Sequence, residues 1–172
     1  PALILLDLAG AADAFRIAAS MGLPVRLRMV APLRRGEAAS TALGVGLTGI
    51  EPLPAKLGDH TLIVVCGATG SGEAVLSSPA SQALVEWLRQ HGGNGRSLAC
   101  VCSGALLAGA AGLLDGRRCT THHSLLDTLR RLVPRAEVLD SRVFVEDGEV
   151  CTSAGITAGI DLALYLIARL GS

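Results

Sequence analysis

The sequence predicts a single α/β domain over residues 1–172, built as a mostly parallel sheet with helices on both faces. Three observations predict it. Two short apolar runs, "TLIVVCG" (61–67) and "SLACV" (97–101), are continuous rather than alternating, as in strands buried on both faces. A punctuated helical segment follows each of them. No linker, internal repeat or low-complexity stretch interrupts the 172 residues, a length that one core can serve.

Taken in order, "DLAGAADAFRIAAS" (7–20) reads as a turn followed by a short Ala-rich helix, with Asp7 placed to cap it. "PVRLRMVAP" (24–32) alternates like a strand, and the Arg34-Arg35 pair that follows reads as a solvated loop. "TALGVGLTGIEPL" (41–53) is Gly-rich and β-like, an excursion outside the main sheet. After the first apolar run, "SPASQALVEWLRQHG" (78–92) opens with a Ser cap and Pro and closes with Gly, the punctuation of a helix anchored by Trp87. "SGALLAGAAGLL" (103–114) is a helix close-packed through small residues. "HSLLDTLRRL" (123–132) is another, with Leu125, Leu126, Leu129 and Leu132 on one face. "RVFVEDGEVCTS" (142–153) is a hairpin about Asp147-Gly148, and "TAGIDLALYLIARL" (157–170) is a closing apolar helix.

Composition narrows the function. Fifteen basic residues balance fifteen acidic ones, so the domain lacks the excess positive charge that grips phosphates. Aromatic residues make up 2%, too few for base-stacking platforms. DNA contact is therefore expected only through a region outside these residues. The start, "PALILLDLAG", has no basic region or cleavage site, and the longest apolar tract is short and carries Asp161. No membrane association is expected, and a cytoplasmic location follows. The five cysteines, Cys66, Cys100, Cys102, Cys119 and Cys151, show no zinc-type spacing. Reduced thiols, no metal and no cofactor are expected.

The candidate site lies at the seam in "SLACVCSGALLAG", where the second apolar run ends at Cys102 and small residues follow at once. In open parallel sheets, ligands gather beyond the carboxyl ends of the strands, and Cys102 and Cys66-Gly67 occupy two such ends. A thiol on a tight strand-to-helix turn faces helix N-terminal amides, so Cys102 is expected to have a lowered pKa. A small buried thiol would fit the same pattern as packing. The residues alone leave both roles open.

Three segments carry a resemblance: "LLDLAGAADAF", "VCSGALLAGAAGLLDGRRCTTHH" and "FVEDGEVCTSAGITAGIDLAL". Together they resemble the ThiJ/PfpI superfamily, which implies a flavodoxin-like fold similar to class I glutamine amidotransferases, with a nucleophile elbow at Cys102. The subgroup resembled most is the amino-terminal domain of AraC-type transcriptional regulators, and isonitrile hydratases form a sister subgroup. The resemblance implies that Asp7 is the acid beside Cys102 and that Ser103 orients reactants. Gly67 falls on the first glycine of a Gly-Gly turn whose amides face the cysteine. His122 falls on the histidine of a "TTHW" motif. Pro1 matches the proline that follows the first strand of the superfamily, so that strand is expected to be missing from the sequence.

The sequence also departs from the pattern. Ser103 stands where protease-like members place histidine, which removes the Cys-His dyad. Ala68 stands at the second glycine, where it resists φ > 0, and His123 replaces tryptophan. "TSAG" (152–155) resembles the regulators, whereas hydratases more often read "TGGG". The expected function is accordingly a ligand-sensing domain of a regulator, homodimeric, with a small molecule bound by Gly67, Ala68, Cys102 and His122. The alternatives are a hydratase-like lyase using Cys102 and Asp7, and a thiol-based stress sensor.

Overall fold

The computed structural model describes residues 1–34, 36–93 and 95–171, so Arg35 of the Arg34-Arg35 pair lies outside the described residues. The first helix, α1 (Leu5–Ser20), begins earlier than the sequence suggested. Its cap residue, Ile4, makes no side-chain bond, and Asp7 lies within the first turn instead of capping it. The spacing explains the difference. Asp7, Ala11, Phe15 and Ala18 are the buried residues of this helix, and they fall on one face at intervals of four, four and three.

The alternating segment 24–32 is corrected more strongly. Only Val30–Ala31, β1, joins a ladder, and its partner is β4 (Glu51–Pro52) in a two-stranded parallel sheet. Residues 24–29 have no ladder partner among the described residues. Between β1 and β4, β2 (Ala39–Ser40) and β3 (Gly46–Leu47) make a small antiparallel pair. The Gly-rich stretch is thus an excursion from the main sheet, as expected.

The main sheet has four strands. β5 (Leu62–Val65) leads to α2 (Gly72–Ser77) and α3 (Pro79–His91), and Ser78 caps α3 by accepting from the Ser81 amide. β6 (Ser97–Val101) leads to α4 (Gly104–Ala110). The pair β7 (Arg118–Cys119) and β8 (Glu137–Val138) flanks a 3-10 turn (His123–Leu125) and α5 (Leu126–Leu132). The hairpin of β9 (Phe144–Asp147) and β10 (Val150–Ser153) turns at Gly148, whose φ is 62°. Helix α6 (Ala158–Leu170) completes the fold.

The order is β5-β6-β10-β9, with β6 parallel to both neighbours and β9 antiparallel at one edge. The prediction of a mostly parallel sheet between helical layers holds. Side chains alternate across it. Leu98 and Cys100 of β6 enter the layer under α2, α3, α4 and α5, and Ala99 enters the layer under α1 and α6. The first layer holds seventeen buried apolar residues and the second seven, among the described residues. Val64, beside Ala99 in the ladder, is 36% exposed because β5 is the other edge of the sheet.

Trp87 is an anchor as expected: it packs against the larger core, and its indole N–H donates to the Pro54 carbonyl at 2.7 Å. Small residues let α4 approach the sheet. A Cβ on Gly104 would collide with the Val65 carbonyl oxygen, which is backbone and has little room to yield. Gly104→Ala is therefore expected to destabilise the fold by about 1–3 kcal/mol. Urea unfolding checks this against Gly93→Ala, whose added methyl meets nothing within 4 Å.

Candidate functional site

The ends of β6 and β10, neighbours in the parallel ladder, carry the candidate site. Cys102 follows β6 directly and adopts φ 56°, a left-handed conformation that side chains with a Cβ rarely take. Three bonds hold it there. Its amide donates to the Ser153 carbonyl at 3.3 Å, and its carbonyl accepts from the Thr121 hydroxyl at 2.8 Å and the Ala105 amide at 3.3 Å. Over-determination of this kind is what keeps a strained residue in place.

Asp7 reaches the same point from α1. It is 1% exposed, its Oδ2 accepts the Gly67 amide at 3.2 Å, and Gly67 lies against both its carboxylate and Cys102. Oδ1 is buried without a partner among the described residues. A Cβ at Gly67 would lie 2.5 Å from Oδ2 and 2.9 Å from the Cys102 Cβ, so this close approach needs glycine. Burial raises the Asp7 carboxyl to about 6, against the opposing pull of the Gly67 amide and the Cys102 thiol.

The expected activation of Cys102 is reversed. Burial and then the Asp7 charge push its thiol up to about 11, while the facing amides of Ser103 and Ile156 only partly offset this. Burial, followed by the neighbouring carboxylate, outweighs the amides. At neutral pH the sulfur keeps its proton.

The Gly67-Ala68 turn also differs from the expected arrangement. The Gly67 amide is spent on Asp7, and the Ala68 amide donates to the Ser103 hydroxyl at 2.8 Å. That hydroxyl in turn donates to the Ala68 carbonyl at 2.9 Å, so Ser103 fastens the turn to the start of α4. His122 is half-buried and points elsewhere: its Nδ1 bonds the Ser124 hydroxyl at 2.8 Å, and its ring lies tilted at 36° to that of His123 with centroids 4.2 Å apart. Burial and then His123 lower the His122 pKa. The ring presses on Gly155, where an added Cβ would collide with its Cδ2.

Cys66 joins the site by donating from Sγ to the Asp7 carbonyl at 3.7 Å, and burial followed by the Asp7 charge pushes it up to about 12. Cys100, Cys119 and Cys151 are buried, as expected of core thiols. Ile156 was not anticipated. It has φ 47° in the turn that follows β10. Nothing in a lone isoleucine after "TSAG" signals a left-handed backbone there. Among the described residues, no three His, Cys, Asp or Glu side chains come together as a metal would require. Nor is any described helix long and apolar enough to cross a membrane.

Comparison with known proteins places these features. Residues 15–169 match the DJ-1/PfpI family. An isonitrile hydratase of Pseudomonas putida is 39% identical over 112 residues, covering 63% of this chain and 46% of the relative. The HTH-type transcriptional regulator CdhR of Pseudomonas aeruginosa is 39% identical over 132 residues, covering 76% of this chain and 36% of the relative. The chain thus spans less than half the length of either. Among solved structures, a THiJ/PfpI family protein from Pseudomonas syringae superposes with a TM-score of 0.82 at 26% identity, over 99% of this chain and 65% of that one.

The raised Asp7 pKa has a definite sign in stability. The folded state holds the proton more tightly than the unfolded chain, so the contribution is complete below about pH 4 and is lost as pH rises through about 6. Asp7→Asn, which never ionises, should therefore gain on wild type by about 2 kcal/mol between pH 4 and pH 7, at about 1.4 kcal/mol per pKa unit. Urea unfolding at the two pH values measures the change, and a constant difference would contradict it.

Proposed function

Because the chain belongs to the DJ-1/PfpI family, we propose that it is the ligand-sensing domain of an AraC-type regulator, with a small molecule bound beside Cys102. One observation carries the choice of sensing over turnover: the groups around the thiol are already engaged with one another. Asp7 holds the Gly67 amide, Ser103 holds Ala68, and His122 faces Ser124 and Gly155. Thiol catalysis needs a base in reach and a donor set ready for developing charge. Here Asp7 is the one acid at the sulfur, and both amides of the 67–68 turn are occupied.

The regulator relatives support the same reading. CdhR aligns over 76% of this chain, and a second relative, the HTH-type regulator GlxA of Rhizobium meliloti, over 85% at 31% identity. DNA reading belongs to residues outside this chain, since its formal net charge is zero. A homodimer suits a regulator that presents two DNA-reading units. The reaction of the hydratase relative, addition of water to an isonitrile to give an N-substituted formamide, is the principal competitor.

A thermal-shift screen of small polar metabolites tests the proposal. A ligand at about a hundred times its Kd adds about 2.7 kcal/mol, and so raises Tm by about 5–10 °C. The shift should vanish in Gly67→Val, which fills the approach between Asp7 and Cys102. No isonitrile should be converted. Formamide production that disappears in both Cys102→Ala and Asp7→Asn would replace the sensing reading with the lyase.

A further inference from the structure

We propose that Ser103 is a positioning residue for Asp7: by gripping the Ala68 peptide from the start of α4, it holds the Gly67 amide on the buried carboxylate. The inference rests on the reading of Asp7 and Cys102 as the centre of the site, and it gives Ser103 a role toward the acid.

The 67–69 turn has two edges, and each is held differently. On one edge Leu3 forms an antiparallel bridge to Ala68. The Ile4 amide donates to the Gly67 carbonyl at 3.1 Å, and the Thr69 amide donates to the Ala2 carbonyl at 2.9 Å. Leu3 also bridges Thr41, so residues 2–4 are themselves pinned beside β2. Extended backbone points the N–H and C=O groups of successive residues to opposite sides. Those of Ala68 therefore face the other edge, where one hydroxyl takes both. Ser103 Oγ accepts the Ala68 amide at 2.8 Å and donates to the Ala68 carbonyl at 2.9 Å.

The place of Ser103 in its own helix supports this role. A serine that opens a helix ordinarily spends its oxygen on the helix amides. Ser103 opens α4 and is 1% exposed, yet its side chain makes no cap to that helix. The hydroxyl is committed to the neighbouring turn instead.

Gly67 is the reason the grip matters. A Cβ there would lie 2.5 Å from Asp7 Oδ2, so the position demands the residue whose backbone rotates most freely. Its amide must nevertheless stay on Oδ2, because Oδ1 has no partner among the described residues and the acid is buried. Three hydrogen bonds close a ring around this contact: the Ile4 amide to the Gly67 carbonyl, the Gly67 amide to Asp7 Oδ2, and the Asp7 amide to the Ile4 carbonyl. Ser103 fastens the next peptide along, with its Oγ 3.1 Å from the Cβ position of Gly67. Ring on one side and hydroxyl on the other keep the glycine from swinging its amide off the acid. The acid beside Cys102 is thus steadied by the residue that follows Cys102.

The test follows the Gly67 amide proton of the ligand-free protein by NMR as pH is raised. In wild type this proton should shift with a midpoint of about 6, that of the Asp7 carboxyl, and Asp7→Asn should abolish the shift. The titratable groups facing Asp7 are the Cys66 and Cys102 thiols, which follow β5 and β6 and keep their protons through this range. From the other side, α6 meets α1 with the apolar Ile160 against Gly10. A loosened Gly67 amide pulls the carboxyl down less. Ser103→Ala should therefore raise the midpoint by about 0.5 to 1 pH unit and shrink the amplitude, as expected for partial loss of a bond to a charged group. Ser103→Cys, which fills a similar volume with a weak donor and acceptor, should fall between the two and replaces the alanine variant if that does not fold. Ser78→Ala, which removes the cap of α3, should lower stability and leave the midpoint unchanged. Titrations of the Ser103 variants that superpose on wild type would overturn the inference. A failed ligand screen with displaced midpoints would remove the sensing reading and leave the positioning role standing.

Discussion

The arrangement of the site depends on one carboxylate kept out of water. Asp7 lies on the buried stripe of α1 in line with Ala11 and Phe15, so the packing of that helix carries the acid inside. An ionised group so placed is costly without partners, and among the described residues it has the Gly67 amide on one oxygen and none on the other. The glycine at position 67, the raised carboxyl and the protonated thiol all follow from this placement. Moving α1 by one residue would turn Asp7 toward solvent and remove all three.

Around that carboxylate, the two neighbouring parallel strands end in the same unusual way. β6 is followed by Cys102, and Ile156 lies in the turn after β10, each with a left-handed backbone. Parallel pairing brings the two ends side by side, and the Cys102 amide donates to the Ser153 carbonyl. Sites at the carboxyl ends of parallel strands commonly draw groups from several loops. Here the loops are held by close glycine contacts, with backbone at 104, with the His122 ring at 155 and with other side chains at 67 and 159.

Most of this architecture was legible in the sequence. Continuous apolar runs marked β5 and β6, Asp147-Gly148 marked the hairpin, and Ser78-Pro79 with Gly92 bounded α3. The resemblance located Asp7, Gly67, Cys102 and Ser103, and the structure brings these four together. The start of α1 was misplaced because "DLAGAADAF" reads as opening on a turn, when the stripe of Ala11 and Phe15 already put Asp7 on the inner face of the helix. The stretch 24–29 alternated like a strand, yet pairing depends on a neighbour, which periodicity cannot supply. The direction of the Cys102 shift was lost for a related reason. An elbow pattern reports the amides, but the weight of an adjacent buried charge depends on three-dimensional distance. The packing of His122 against Gly155 is a contact between loops, which spacing does not report.

The unequal helical layers divide the site in a further respect. Cys102 follows β6 and leads into α4, which pack the layer with seventeen buried apolar residues among those described, whereas Asp7 rides on α1 in the layer with seven. Free energies of local opening follow such differences in packing, so α1 and α6 belong to the low end and β6 and α4 to the high end. The acid and the thiol thus sit in different cooperative units. Amide protons around Asp7 would exchange through partial openings that leave the cysteine turn intact, and in those openings the sulfur would lose its carboxylate neighbour while keeping the Ser103 amide. Fluctuation of one layer is then a route by which the thiol is unmasked for moments at a time, with the sheet itself undisturbed.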